Sequence, residues 1–248
     1  MPTGKTDNVY ARTVGPPRAF EFDAQVADVF ESMIERSVPG YHLFLDMISL
    51  LTERFAIHHT NCYDLGCSLG ASTLRIRQHL PETCHVIGID NSTAMVERCR
   101  INVERDRSRA SIEIREEDLR HTVIENASIV VMNFTLQFIP EKDRSLILKH
   151  ISDGLVDGGV LILCEKVSFN DSEQQTLLQN LHLAFKRFKG YSDLEISRKR
   201  AALENVLIPD TIPEHRERLG FTGFDQVEPI VQCLNFIALL ARRTKNGP

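Results

Sequence analysis

The chain of 248 residues is 42% hydrophobic and carries a formal charge of −5. That length suits one large domain, or a core domain with an insertion, and it buries a sizeable apolar core. The acidic balance argues against a broad nucleic-acid surface, which needs a basic footprint, and the six cysteines form no C-x-x-C pair, so a disulfide framework is not expected.

Taken in chain order, residues 1–19 are polar and carry Gly15-Pro16-Pro17, which reads as a loose arm. No apolar core follows a basic start, and no run approaches ~20 apolar residues, so neither a signal peptide nor a membrane span is expected. Asp23 is placed to cap a helix whose Val26, Val29, Phe30, Met33 and Ile34 form one apolar stripe. Ser37-Val38-Pro39-Gly40 breaks that helix. A second helix over 41–56 carries Phe44, Met47, Ile48, Leu51 and Phe55 on one side. This preface, residues 20–56, is expected to lie over the mouth of a site built by the central part of the chain.

Between 61 and 167 strand and helix patterns alternate, with strands at 61–66, 85–90, 111–117, 128–134 and 158–167 and helices at 70–80, 93–106 and 141–154. Such alternation predicts a parallel sheet with helices on both faces. Several cysteines fall inside these apolar strands, where a reduced thiol behaves as a small hydrophobe, and a reducing, cytoplasmic setting is expected. After Lys166 the rhythm turns helical. Residues 171–189 predict an amphipathic helix with Leu177, Leu181, Ala184, Phe185 and Phe188 on one side, ended by Gly190. The plain reading of that stripe is core or dimer packing. Asp193 predicts the cap of a helix running to 206, and Thr211 with Glu214 a capping box for a short helix closed at Gly220. Residues 220–243 read as two strands, the last at 233–240, joined as a hairpin. The expected fold is therefore α/β in a single domain: a mostly parallel seven-stranded sheet, an N-terminal helical preface, a core at 61–167, a helical insertion at 171–219 and C-terminal strands at 220–243.

The chemistry concentrates at Asp64-Leu65-Gly66-Cys67-Ser68-Leu69-Gly70, where a strand turns tightly into a helix and bare glycine lets a ligand approach the backbone. About twenty residues on, the next strand ends at Asp90, the spacing that places a carboxylate beside the ribose of a bound nucleoside. A dinucleotide turn needs glycine at the first, third and sixth positions of G-x-G-x-x-G, and here these are Gly66, Ser68 and Ala71. The pyrophosphate reading weakens accordingly. The turn better fits an adenosine cofactor with an amino-acid tail, S-adenosyl-L-methionine.

Asp90 would then accept from both ribose hydroxyls, while Asn91 and Ser92 either edge the adenosine or cap the next helix. Asp118 can hold the adenine amino group, with the Leu119 backbone at a ring nitrogen. Beside Glu116 and Glu117 it reads equally well as a solvated acidic turn. Asn133 offers a neutral amide to the methionine tail or the reacting centre. No Asn/Asp-Pro-Pro-Tyr comes after it, which counts against methyl transfer to a base or amide nitrogen. The nine histidines lack H-x-x-x-H spacing and no G-x-S-x-G elbow is present, so neither a metal site nor a serine triad is expected.

The turn at 64–70, Gly88-Ile89-Asp90-Asn91-Ser92, and the flanks Met33-Ile34-Glu35-Arg36-Ser37-Val38-Pro39-Gly40-Tyr41 and Ser197-Arg198-Lys199-Arg200 together resemble the carboxy-S-adenosyl-L-methionine synthase family. The likeness runs from Val9 to near the C-terminus, through Leu203-Glu204-Asn205-Val206. The cofactor turn is shared with a very large methyltransferase group; the flanks are far more specific. The resemblance implies a class I methyltransferase-like (Rossmann-like) fold that does not methylate. It implies conversion of S-adenosyl-L-methionine and prephenate to carboxy-S-adenosyl-L-methionine and phenylpyruvate, the product passing to a separate enzyme that modifies a tRNA wobble uridine. It further implies that Tyr41, Gly66, Cys67, Ser68, Asn91, Ser92, Asp118, Leu119, Asn133 and Arg200 contact cofactor or product. The family forms a homodimer, and the Arg200 segment can reach across to the partner's site.

A guanidinium binds a carboxylate bidentately, which makes Arg200 the candidate for receiving the transferred group. The plain alternative is a surface arginine in a basic run with Arg198 and Lys199. Two other functions share most of these residues: a methyltransferase acting on RNA or a small metabolite, and a cofactor-binding subunit that presents the 177–188 stripe to a partner. Neither stable nucleic-acid binding nor membrane binding is expected.

Overall fold

Strands that are apolar along both sides must be covered on both faces, and the middle of the chain builds that arrangement. The computed structural model describes residues 5–11 and 19–243, so the predicted N-terminal arm falls largely outside the described residues. Strands β1 (Asn61–Leu65), β2 (His85–Asp90), β3 (Ser111–Glu116), β4 (Ala127–Asn133), β5 (Leu155–Lys166), β6 (Gln226–Cys233) and β7 (Phe236–Arg242) form one seven-stranded sheet in the order β3-β2-β1-β4-β5-β7-β6. The first five run parallel, and β7 lies antiparallel between β5 and β6.

The period of two along each strand sorts side chains to opposite faces. Tyr63, Leu65, Val130, Met132, Leu161 and Leu163 pack into one core with Leu148 and Ile151 of α5 (Glu141–Gly154) and Leu219 of α8 (Ile212–Phe221). Cys62, Ile129, Val131, Val160 and Ile162 pack on the other face with Phe44 and Ile48 of α2 (Tyr41–Phe55) and Ile76 of α3 (Ala71–His79). The preface helix α1 (Ala24–Ser37) is capped by Asp23, whose side chain accepts from the Val26 amide at 2.9 Å, and it buries Val26, Val29 and Met33. Helix α4 (Thr93–Glu104) comes after β2.

Several boundaries differ from the sequence expectation, each for a local reason. Helix α7 (Asp193–Leu203) is capped by Ser192 rather than Asp193, because Ser192 and Glu195 close a reciprocal box and leave Asp193 in the first turn. The same device at Thr211 and Glu214 opens α8 as expected. However, α8 runs through Gly220, and the left-handed turn comes at Gly223 (φ 107°). Strand β5 starts at Leu155 because α5 passes directly into it, and Leu155 pairs with Ala127 across a register shift. Strand β7 starts at Phe236, after a turn in which Leu234 takes φ 53°.

The largest difference concerns α6 (Ser172–Phe188). Its predicted apolar stripe does not enter the core: Leu177, Leu181 and Phe188 are 59%, 43% and 86% exposed. The side of α6 that faces the body is polar. His182 is buried, with its Nε2 2.8 Å from the Ser37 carbonyl and its ring edge-on to Phe236. Among the described residues no helix is long and apolar enough to cross a membrane.

Candidate active site

Parallel strands end together, and their carboxyl ends surround a cavity of about 720 Å³ at the point where the chain leaves β1 for β2 on one side and β4 lies on the other. Tyr41, Gly66, Cys67, Ser68, Asp90, Asn91, Leu119 and Asn133 all line it. Helices α1 and α2 roof it through Met33, Ser37 and Tyr41, as the preface was expected to do.

The turn after β1 is pinned by the Ile89 carbonyl, which accepts from the Gly66 amide at 2.7 Å and the Cys67 amide at 2.9 Å. Its backbone takes positive φ at Gly66 (83°), Ser68 (49°) and Gly70 (87°). Ser68 thus adopts the left-handed conformation without being glycine, which accounts for the missing second glycine of the motif. At Gly66 the requirement is stricter than ligand access. A Cβ there would lie 2.3 Å from Thr135 Oγ1, so the absent side chain also makes room for the loop after β4.

Asp90 is held in place from both sides: its Oδ2 accepts from the Ser68 amide and its Oδ1 from the Ser92 amide, each at 2.9 Å. Burial raises its pKa, and these backbone donors oppose the rise. Ser92 lies outside the lining. Its hydroxyl donates to the Phe22 carbonyl at 2.5 Å and accepts from the Met95 amide at 3.3 Å, capping α4. Asp118 also stands outside the lining. Arg120 chelates it, and that guanidinium holds its carboxyl down at about 2. Its neighbour Leu119 does reach the cavity.

Two buried acceptors near the floor have no donor among the described residues. Asn133 donates to Ser72 Oγ at 2.8 Å, leaving its Oδ1 unpaired, and Asp64 accepts from Thr73 Oγ1 at 2.6 Å while its Oδ1 is orphaned. Burial pushes Asp64 up to about 7. Of the two, Asn133 lines the cavity while Asp64 is fully buried beneath it, so the Asn133 acceptor beside an open backbone turn is the one that fits a ligand with an ammonium group, as the amino-acid end of S-adenosyl-L-methionine has.

Sequence reading missed the opposite wall. Lys166 from the end of β5, His182 and Lys186 from α6 and Lys199 from α7 all line the same cavity. Lys199 is accounted for: its Nζ donates to Ser37 Oγ at 2.9 Å and Tyr191 Oη at 3.3 Å and lies 3.5 Å from Asp7 Oδ2. Burial, together with Lys199, Lys166 and Arg200, brings Lys186 down to about 7; burial and Arg200 also depress Lys166. Nothing local marks these lysines, because each sits on a different element in an ordinary polar pattern.

Arg200 points elsewhere. It is exposed on α7 and outside the lining, and with the Gln179 amide turned to accept, both of its Nη atoms lie 3.2 Å from that oxygen on α6. Among the described residues no group of three or more His, Cys, Asp or Glu is placed to hold a metal ion.

Comparison with known proteins agrees with this geometry. A family model described as a methyltransferase domain matches residues 63–159. The carboxy-S-adenosyl-L-methionine synthase of Hahella chejuensis is 53% identical over 241 residues, covering 95% of this chain and 97% of the relative. That of Vibrio vulnificus (strain CMCP6) is 48% identical over 241 residues, covering 97% and 98%. Among solved structures, human N-acetylserotonin methyltransferase in complex with S-adenosylmethionine superposes with TM-score 0.62 at 16% identity, covering 89% of this chain and 55% of that one. Magnesium protoporphyrin IX methyltransferase from Synechocystis, with bound S-adenosylhomocysteine, gives 0.58 at 16%, covering 86% and 87%. These two establish the fold, a mostly parallel methyltransferase sheet. The near-full-length relatives establish more: the chain belongs to the carboxy-S-adenosyl-L-methionine synthase family.

Proposed function

We propose that this protein converts S-adenosyl-L-methionine and prephenate to carboxy-S-adenosyl-L-methionine and phenylpyruvate. The observation that carries the reading is the pairing, in one cavity, of a nucleoside-binding turn with a wall of lysines. A methyltransferase acting on a neutral metabolite has no use for that wall, whereas a dianionic co-substrate needs it.

Bound at the turn, the cofactor supplies a sulfonium that acidifies its own methyl group. In this reading Asp90, anchored by the Ser68 amide, accepts from the ribose hydroxyls, and Asn133, whose Oδ1 has no donor among the described residues, accepts from the amino-acid ammonium. In the overall balance, the ring–carboxyl bond of prephenate breaks and a bond forms between that carbon and the methyl carbon. The methyl proton and the hydroxide leaving the ring make water. Aromatisation provides the driving force. The cavity walls, among them Phe22, Phe138, Leu203 and Val206, keep bulk water from the reacting atoms and hold the released carbon dioxide beside its acceptor. Effective molarities of ~10⁵ M or more are attainable for partners so confined.

The decisive measurement is mass spectrometry of the nucleoside formed from S-adenosyl-L-methionine with and without prephenate. A product heavier by one carboxyl group, with phenylpyruvate in equal amount, is expected. S-Adenosylhomocysteine, released with RNA or a metabolite, would instead assign an ordinary methyltransferase.

The proposal extends to a homodimer in which Arg200 serves the partner's cavity. It is supported by the bare apolar stripe on α6 and by Arg200, which is exposed beside that helix and is not itself a lining residue. Arg200→Lys and Arg200→Ala are both expected to weaken carboxy-S-adenosyl-L-methionine roughly 10-fold or more, and unmodified S-adenosyl-L-methionine hardly at all, because only the former carries the group the fork binds. Equal losses for the two ligands would remove the role. Downstream, the product is proposed to pass to a separate enzyme that modifies tRNA wobble uridine. The six free cysteines, five of them buried, suit a reducing cytoplasm.

A further inference from the structure

We infer that Lys166 and Lys186 form the receptor for the carboxyl donor, two lysine side chains in the cavity wall matched to a substrate with two carboxylates, whose arrival favours the charged form of both. The inference rests on the proposed function and assigns the groups that recognise its second substrate.

Both side chains line the cavity, and they arrive from unrelated elements, the end of β5 and the last turn of α6. Neither ammonium has an acidic partner among the described residues. Lys199, the third lysine of the wall, has Asp7 and two hydroxyls already. The charges acting most strongly on Lys186 are the cations Lys199, Lys166 and Arg200, and on Lys166 the cation Arg200. Gathering like charges into a partly buried wall is unfavourable unless something compensates it. The cavity lining also holds the carboxylates Glu31, Glu35 and Asp90, but none of them pairs with Lys166 or Lys186, so a bound anion is the compensation that the cavity can admit.

The sign of the field also says which ligand is meant. A cationic wall repels the sulfonium of the cofactor, so these lysines do not serve cofactor binding. They attract a dianion, which would lie between the wall and the sulfonium and complement both. His182, beside Lys186 on the same helix, is driven down to about 3 by burial and then by Lys186, so it remains neutral and adds no charge of its own to the wall.

The test uses the full-length protein and the variants Lys166→Met, Lys186→Met and Lys186→Arg. In Lys166→Met and Lys186→Met the prephenate KM is expected to rise roughly 10–100-fold, the loss typical of a hydrogen bond to a charged group. Calorimetric affinity for S-adenosyl-L-methionine should stay the same or tighten, which also shows that the variants are folded. Lys186→Arg, keeping the charge, should recover most of the prephenate affinity. An unchanged KM in both methionine variants would overturn the receptor. So would a parallel loss of cofactor affinity, which would mean that the lysines hold the cofactor's own carboxylate.

Titrating prephenate into the cofactor-loaded protein separates this inference from the functional reading beneath it. Prephenate binding that Lys186→Met abolishes, without carboxylated product in the unaltered protein, keeps the receptor and discards the transfer. Carboxylated product with undiminished prephenate binding in the methionine variants does the reverse.

Discussion

Replacing Gly66 with alanine is expected to weaken S-adenosyl-L-methionine binding by at least ~30-fold, through two effects acting in one direction. The residue holds φ 83°, where an L side chain meets its own backbone at a cost of about 1–2 kcal/mol. Its added methyl would also sit 2.3 Å from Thr135 Oγ1, 2.5 Å from Thr135 Cγ2 and 3.0 Å from Thr135 Cβ. Thr135 cannot swing freely aside, because the carboxylate of Glu165 receives the amides of Leu136 and Gln137 at 2.8 and 2.9 Å and fixes the loop. Overpacking of this kind costs about 1–3 kcal/mol more. The turn must yield, and the Gly66 and Cys67 amides then leave the Ile89 carbonyl that positions them. Calorimetric titration of G66A, with circular dichroism as the check on folding, reads the loss directly. The double variant G66A/T135G removes the side-chain clash but not the backbone penalty, so it should recover about half of the lost binding free energy. Affinity within threefold of the parent in G66A would show that neither constraint operates.

The second large effect is on stability. Arg144 is 1% exposed, and its guanidinium ties distant segments together. Nε donates to the Ile139 carbonyl at 2.9 Å, Nη1 to Asp210 Oδ2 at 2.6 Å and Nη2 to the Ile208 carbonyl at 2.9 Å. These bonds join α5 to the segment leading into α8 and to the loop after β4 that lines the cavity. Arg144→Met keeps the apolar stem and removes the charge, leaving Asp210 with Arg218 alone and two carbonyls without donors. Breaking a buried pair from one side costs about 3–5 kcal/mol, and the remaining Arg218 places this case at the lower end. A urea titration should show the midpoint falling with an unchanged slope.

The pH dependence has a definite sign. Burial opposes ionisation of Asp210, but Arg218 and Arg144 outweigh it and hold its pKa below the ordinary 3.8. Its contribution is therefore fully present above pH ~4 and lost as pH falls through the lower, folded value. R144M should show a shallower loss of stability below pH 4. An acid profile identical to that of the parent would show that Arg144 does not set Asp210.

What could be read along the chain was whatever is decided within a few residues. The period of two in Tyr63 to Leu65 and in Ile129 to Asn133, the periods near 3.6 in α1 and α2, the Asp23 cap and the Thr211–Glu214 box all act over one turn or one strand. So does the turn at 64–70, whose glycines are demanded by backbone angles. The alternation of such elements predicted a mostly parallel seven-stranded sheet, while the order of its strands came from the structure.

What could not be read was which way a given side chain faces once the elements pack. The α6 stripe has the pattern of a core helix, yet His182 and Lys186 turn inward, because Ser37 and Phe236 hold that edge of the helix. Asp118 and Ser92 have residue types suited to a cofactor, and only the structure shows that Arg120 and the Phe22 carbonyl also engage their side chains.

The lysine wall is the clearest case. Lys166, Lys186 and Lys199 are ordinary in their own segments and become a site only where β5, α6 and α7 meet. By itself, then, the sequence determined the elements, their order along the chain and the nucleoside turn, because helix, strand and turn preferences are short-range. Only the tertiary structure decided which charges converge, because Coulomb interactions and burial depend on distances in space that chain separation does not set.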